Sequence, residues 1–67
     1  MGLYGIVAEE FLKDNVGRTI NIRIRDVPVT PGILLKYGNG DLLIKTPDGS
    51  RVLIDMSSVI GIEEVQK

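Results

Sequence analysis

The side chains that could do chemistry in this chain are acidic, basic and hydroxyl groups, because its 67 residues include no cysteine and no histidine. Thiolate nucleophiles, disulfides and Cys/His metal sites are therefore excluded. Acid–base and nucleophilic roles would fall to Asp, Glu, Lys, Ser or Tyr, and no spacing among these suggests a triad or a paired-carboxylate centre. Gly38-x-Gly40 is too short to cradle a phosphate and predicts a hairpin turn. The sequence predicts no catalytic residue, no metal site, no cofactor and no enzymatic activity.

The best candidates for a nucleic-acid surface are three arginines and an asparagine within eight residues: Arg18, Asn21, Arg23 and Arg25. Guanidinium and amide groups on one strand face are suited to contacting phosphates. The alternative is an ordinary solvated face, in which the arginines pair with acidic neighbours such as Asp14, Asp26 or the Glu63-Glu64 pair. The whole-chain balance, eight basic against nine acidic residues, shows no basic footprint.

A second candidate set surrounds the predicted turn at residues 38–40. Tyr37 could offer an aromatic shelf and Asn39 an amide that reads a base, or Tyr37 could pack in the core while Asn39 takes the left-handed position of an Asn-Gly turn. Asp41 and Asp55 could attract a cation or a basic partner, since carboxylate oxygens suit Mg²⁺ and Ca²⁺. Their ordinary role would be to cap turns or pair with Lys and Arg.

Hydropathy periods predict the elements that position these residues. A helix is expected over about 6–14, with Val7 and Phe11 sharing an apolar face with Leu3 or Leu12, and with left-handed residues at Asn15 and Gly17 stopping it. Strands are expected over about 19–25, 27–37, 41–46, 51–56 and 59–65, separated by Asn39-Gly40, Pro47-Asp48-Gly49 and Ser57-Ser58 turns. Pro28, Pro31 and Gly32 indicate an edge, bulge or sharp bend early in the second strand.

One short helix followed by five short strands predicts a single domain over residues 1–67. The expected fold is mainly β, a strongly bent antiparallel sheet closing into a small barrel that the helix caps. No apolar run approaches the length that spans a membrane, and no signal peptide is recognisable, so a cytoplasmic location is expected. A domain this small gains stability by oligomerising, which favours self-association.

The order and spacing of these elements resemble the Sm-like family over most of the chain. Ile20, Ile22 and Ile24 match the alternating first strand, Gly32-Ile33-Leu34 the Gly-x-Leu of the second, Tyr37 the aromatic, and Asp41-Leu42-Leu43-Ile44 the Asn-Leu-x-Leu motif. The run from Val52 to Ile62 aligns without a gap with a second motif of the family, Val-x-Ile-Arg-Gly-x-x-Val-x-x-Ile. The family's Arg-Gly is replaced by Asp55-Met56, and the Asn39-Gly40 turn carries no stacking side chain. The resemblance therefore implies an altered uridine pocket.

The resemblance implies a homomeric ring of about five to seven subunits, in which the fifth strand of one subunit joins the fourth strand of the next. The interface residues would be Val52, Leu53, Ile54, Ile60, Ile62 and Val65. The implied function is a ring-forming scaffold that binds RNA or RNA–protein assemblies. Two alternatives stay open: an adaptor ring that binds proteins without nucleic acid, and a monomeric SH3-like module that binds a peptide.

Overall fold

Residues 5–65 are described by a computed structural model, and they form one helix, five strands and a 3₁₀ turn. Helix α1 spans Ile6–Asp14, and the strands are β1 (Thr19–Ile24), β2 (Val27–Gly38), β3 (Asp41–Lys45), β4 (Arg51–Asp55) and β5 (Val59–Glu64). The 3₁₀ turn Met56–Ser58 joins β4 to β5. The predicted helix bounds are confirmed, and each strand ends within one residue of its expected limit. Arg25 and Val65, expected in strands, lie just beyond β1 and β5.

The five strands form one antiparallel sheet in the order β4-β3-β2-β1-β5. Strand β2 changes partner along its length: residues up to Ile33 pair with β1, and residues from Ile33 onward pair with β3. The mainly β fold and its element order are confirmed. The sheet is open, because β4 and β5 lie at its two edges and are not hydrogen-bonded to each other, so the predicted barrel closure is not shown.

Gly32 lies at the point where β2 passes from β1 to β3, and it is buried. A Cβ atom at this position would overlap Cγ2 of Ile44 on β3 and would lie 3.3 Å from the carbonyl oxygen of Lys45. The absence of a side chain therefore lets β3 approach β2 closely. Ladder irregularities between Ile22 and Ile24 and between Leu34 and Lys36 add to the bending.

Pro31 is accommodated because its nitrogen faces away from the neighbouring strand. The N–H of Leu34 donates to the carbonyl of Arg18, which makes 18 and 34 a hydrogen-bonded pair. Antiparallel pairs alternate, so Pro31 opposite Asn21 occupies a non-hydrogen-bonded position. Pairing with β3 begins only at Ile33, so no strand on the other side requires an N–H from Pro31. Within the described residues, the first part of β2 therefore has an unpaired edge on the side away from β1, as its prolines predicted.

The core is built mainly by the strands of the bent sheet, and the helix adds Leu12 to it. Its fully enclosed side chains are Ile20, Ile22, Leu34, Leu42, Ile44 and Val59, with Leu12 and Met56 beside them. The alternation predicted for β1 is confirmed. The predicted helix face is wrong in part, because Leu12 is buried and Phe11 half-buried while Val7 is 83% exposed. The helix touches the sheet through its second half, and its first turn carries uncovered apolar side chains.

Local turn chemistry positions the ends of the strands. Asn39 (φ 51°) and Gly40 (φ 82°) are both left-handed, as predicted for an Asn-Gly hairpin. Asn15 was predicted to be left-handed and is not: its φ is −111°, and its buried side-chain amide donates to the carbonyl of Phe11 at 2.8 Å. Gly17 (φ 83°) supplies the left-handed position. Within residues 5–65, no helix is both long and apolar enough to cross a bilayer.

Candidate functional site

A cleft of about 190 Å³ lies between helix α1 and the β2–β3 hairpin. It brings together three of the residues that the sequence singled out, Tyr37, Asn39 and Asp41. Its other wall is helical, with Glu9 beside the mouth and Leu12 at the floor. Among the lining residues that the structure describes, the charged ones are acidic and none is basic. The cleft therefore suits a ligand that combines apolar surface with positive charge better than it suits a phosphate.

Each residue of this set is held by the hairpin itself. Tyr37 is half-buried and packs against the core, so its position is fixed by packing while its surface lines the cleft. Asn39 is exposed at the tip of the turn in its left-handed conformation. Asp41 begins β3 directly opposite Asp55 of β4. Asp41 and Asp55 are thus cross-strand neighbours, and two like charges are placed face to face.

Asp55 also caps the 3₁₀ turn that follows β4. Its carboxylate accepts the backbone N–H of Ser57 at 2.9 Å, and its carbonyl accepts the hydroxyl of Ser58 at 2.7 Å. The N–H of Ser57 lowers the pKa of Asp55, so the carboxylate stays charged at neutral pH. Across residues 5–65 no three acidic side chains converge as metal ligands would. Asp55 therefore has the turn-capping role that was expected as the ordinary one for an aspartate at the end of a strand.

Asp48 fixes the other predicted turn and lies away from the cleft. Its carboxylate accepts hydrogen bonds from the hydroxyl of Thr46 and from the N–H of Ser50, the latter at 3.0 Å. These hydrogen bonds, led by that of Thr46, lower the pKa of Asp48. Its role is to set the β3–β4 connection, which in turn fixes the register of those strands.

The arginine set does not form one pocket. Asn21 and Arg23 project from the outer face of β1, since Ile20 and Ile22 project into the core. Arg18 and Arg25 flank opposite ends of this six-residue strand and are seven positions apart, at most about 23 Å at 3.3 Å per residue. Arg23 forms an ion pair with Glu63 on β5, with 2.9 Å between Nη2 and Oε1. Both side chains are about half exposed, so the pair contributes less than about 1 kcal/mol.

The predicted interface residues lie on the two edge strands. Leu53 is 68% exposed, Ile60 53% and Val52 40%, and Val65 is also exposed just past β5. Ile54 and Ile62 are half-buried and pack against the core. Apolar side chains thus follow both edges of the open sheet, where a further strand could cover them.

Among residues 5–65, no strand pairs with the outer edge of β4. The N–H of Met56 donates to Gly40 and the N–H of Thr46 to Ser50, so these are hydrogen-bonded pairs at the two ends of the β3–β4 ladder. Between these two ends the register is unbroken, and hydrogen-bonded pairs alternate with non-hydrogen-bonded pairs. The backbone groups of Val52 and Ile54 therefore point toward β3. The N–H and carbonyl of Leu53 therefore point away from the sheet and are available to another strand.

The same alternation applies to β5. Ile20 and Ile22 of β1 bond to β2, which leaves Asn21 and Arg23 to bond to β5 opposite Glu63 and Gly61. The backbone groups of Ile62, between these two, therefore point outward. Both edges of the sheet present hydrogen-bonding groups beside exposed apolar side chains.

Sequence reasoning missed the helical wall of the cleft. Glu9 and Leu12 meet the hairpin only because α1 folds back over the end of the sheet, whereas Met56 reaches it from the 3₁₀ turn, where its N–H donates to the carbonyl of Gly40. No local signal in the sequence marks that contact, since neither the helix pattern nor the Asn-Gly turn specifies how α1 crosses the strands.

No protein-family model matches the chain, and no curated protein is significantly similar to it in sequence.

Proposed function

We propose that this chain is the subunit of an Sm-like homomeric ring that serves as a scaffold for RNA or RNA–protein assemblies. The observation that carries the proposal is the pair of sheet edges, β4 and β5, neither of which has a strand partner on its outer side within residues 5–65. Leu53 on β4 and Ile62 on β5 direct their N–H and carbonyl groups outward, beside exposed apolar side chains. Joining β4 of one subunit to β5 of the next satisfies both edges, and the contact is heterologous, so repetition generates a ring when the rotation closes.

Further support comes from the bending of the sheet. The change of partner in β2 at Ile33, the close approach at Gly32 and the two ladder irregularities are devices that curl a sheet. The helix-then-five-strands order and the two motif runs resemble the Sm-like family. These features support the proposal that the sheet is of the small-barrel class, Sm-like or SH3-like, in which the strongly bent second strand belongs to both layers.

RNA is proposed as the ligand of the outer face of β1 rather than of a pore pocket. Asp55 stands where the family has arginine, and it is held as a charged cap by Ser57. Repeating that carboxylate around a ring would repel phosphates from the pore. Arg18 and Arg25 are exposed at the two ends of β1, and a ring would repeat them around its rim. Their spacing suits a strand that runs along the rim.

The RNA part is tested by filter binding of single-stranded RNA to purified protein at increasing salt. Affinity is expected to fall linearly with salt on logarithmic axes, and the slope is expected to decrease by about 0.7 for each phosphate contact that Arg18→Ala or Arg25→Ala removes. Lys13→Ala, with the same charge loss on the helix, is the control and should leave the slope unchanged. RNA that is not retained at any salt concentration would refute the RNA ligand and leave the ring untouched.

A second candidate is an adaptor ring that binds proteins. Two observations favour it: the cleft beside Tyr37 has an acidic and apolar lining, and Arg23 is paired with Glu63. A partner that stays bound after nuclease digestion, and that Glu9→Gln together with Asp41→Asn releases, would support this function over RNA. The monomeric SH3-like peptide module requires a chain that remains single in solution.

A further inference from the structure

The outer face of the β3–β4 ribbon carries three cross-strand pairs sorted by chemical type. Leu42 and Ile44 project into the core, so the alternate residues of β3 and their partners on β4 project outward. These six residues form the β3–β4 outer face: Asp41 opposite Asp55, Leu43 opposite Leu53, and Lys45 opposite Arg51. All are exposed except Leu43, which is half-buried. The face therefore runs from acidic through apolar to basic along the strands.

This arrangement is unfavourable within a single chain. Like charges directly opposite one another across strands are destabilising, and here both charged pairs are like-charged. The acidic and basic ends are four residues apart, about 13 Å along a strand, too far for an ion pair across the leucines. Within residues 5–65 the ion pair of the chain is Arg23–Glu63, so all four charges of this face lack an ionic partner there.

The same arrangement is self-complementary. Two copies can be stacked with these faces together and related by a two-fold axis that lies between them. The axis runs perpendicular to the strands, at the level of the Leu43–Leu53 pair. Rotation about it places β3 over β3 in the opposite direction, so that Asp41 faces Lys45 of the second copy. Asp55 likewise faces Arg51 of the second copy, and the leucine pairs meet at the centre. A two-fold axis along the strands would instead place acid over acid.

We infer that the β3–β4 outer face docks against the same face of a second copy of this chain through an isologous contact. The occupant follows from charge complementarity, because one rotation opposes every charge of the face with its opposite and buries its apolar centre. Aligned packing of two sheet faces is an ordinary geometry, with strands within about 30° of each other. A shallow depression lined by Asp41, Leu43 and Leu53, with Lys36 on its β2 side, adjoins the leucine pair.

This contact is separate from the proposed ring, because it uses the face of β4 and the ring uses its edge. With both present and the face directed along the ring axis, two rings stack face to face and the particle contains twice the number of subunits. With the face alone, the chain is a dimer. The factor of two in particle mass therefore reports on the face whether or not the ring forms.

The test uses two variants of opposite charge, each studied by native mass at one protein concentration. Lys45→Glu with Arg51→Glu makes the face acidic throughout. Asp41→Lys with Asp55→Ser makes it basic, and serine at position 55 keeps an oxygen for capping the N–H of Ser57. We expect each variant alone to have half the mass of the unmodified protein. An equimolar mixture of the two is expected to regain the full mass, because the acidic face then meets a basic one.

The matched control is Lys13→Glu with Arg25→Glu, which makes the same charge change away from this face and should keep the full mass. Circular dichroism establishes that the variants are folded; should the double variants fail to fold, the single variants Lys45→Glu and Asp41→Lys are mixed instead. The inference is overturned if the charge variants keep the mass of the unmodified protein, or if mixing folded variants does not double it.

Discussion

Leu53→Pro is expected to reduce the particle from a ring to at most a pair of folded chains, a severalfold loss of mass. The N–H of Leu53 points away from β3, so proline removes a donor that the subunit itself does not use. Proline is tolerated on an edge strand for this reason. In the proposed ring that donor pairs with β5 of the neighbouring subunit, and its loss leaves the junction without a central hydrogen bond at every interface. Native mass spectrometry or light scattering measures the result.

Two matched variants separate the backbone donor from other effects. Leu53→Ala removes the same side chain and keeps the N–H, so it is expected to retain the ring mass. Ile54→Pro, one residue further, removes an N–H that bonds to β3 and adds a clash inside the sheet, so it is expected to unfold the chain. Ile62→Pro tests the facing edge of β5 and is expected to dissociate the ring. A Leu53→Pro protein that keeps the ring mass would contradict joining through β4.

Gly32→Ala is expected to lower the free energy of unfolding by about 1–3 kcal/mol, because the added methyl overlaps Ile44 inside a packed core. Ile44 is 1% exposed, so it has no empty space into which to move. Movement of β3 would instead disturb the change of partner in β2 at Ile33. For a domain of this size such a loss is a large part of the total stability. Urea denaturation at a fixed protein concentration measures it.

Gly61→Ala is the control for Gly32→Ala. A Cβ at Gly61 would lie 3.4 Å from Cδ of Arg23, a flexible side chain that can shift. Its effect is therefore expected to stay within about 0.5 kcal/mol. Equal effects of the two substitutions would show that the close approach of β2 and β3 at Gly32 is not what requires glycine there.

The turns and the alternation of the strands could be predicted from the sequence because their causes are local. Asn39-Gly40 adopts the left-handed pair that its residue types favour, and Asp48 ties the second turn with its own side chain. Asn15 was misjudged because its amide bonds back to the helix as a buried group, which depends on what packs around it. The exposure of Val7 likewise depends on where α1 crosses the sheet.

The surfaces proposed for assembly depend on register, which single residues do not reveal. The outward residues of β3, taken alone, are an ordinary alternation of Asp41, Leu43 and Lys45. The sorting by charge becomes visible only when the register places Asp55, Leu53 and Arg51 opposite them. The outward direction of the Leu53 backbone likewise follows from the ladder as a whole. The sequence could indicate which strands are edges, but not which of their N–H groups are available.

The central claim is that chains join through β4 and β5 into a ring, and the native mass of the purified, nuclease-treated protein tests it most directly. A discrete mass of about five to seven chains of 7.3 kDa each, or twice that number when two rings stack, is the predicted result. A mass of one chain would contradict the ring and leave the monomeric SH3-like peptide module as the better function. A mass of two chains joined through the β3–β4 outer face would contradict both the ring and the monomeric module.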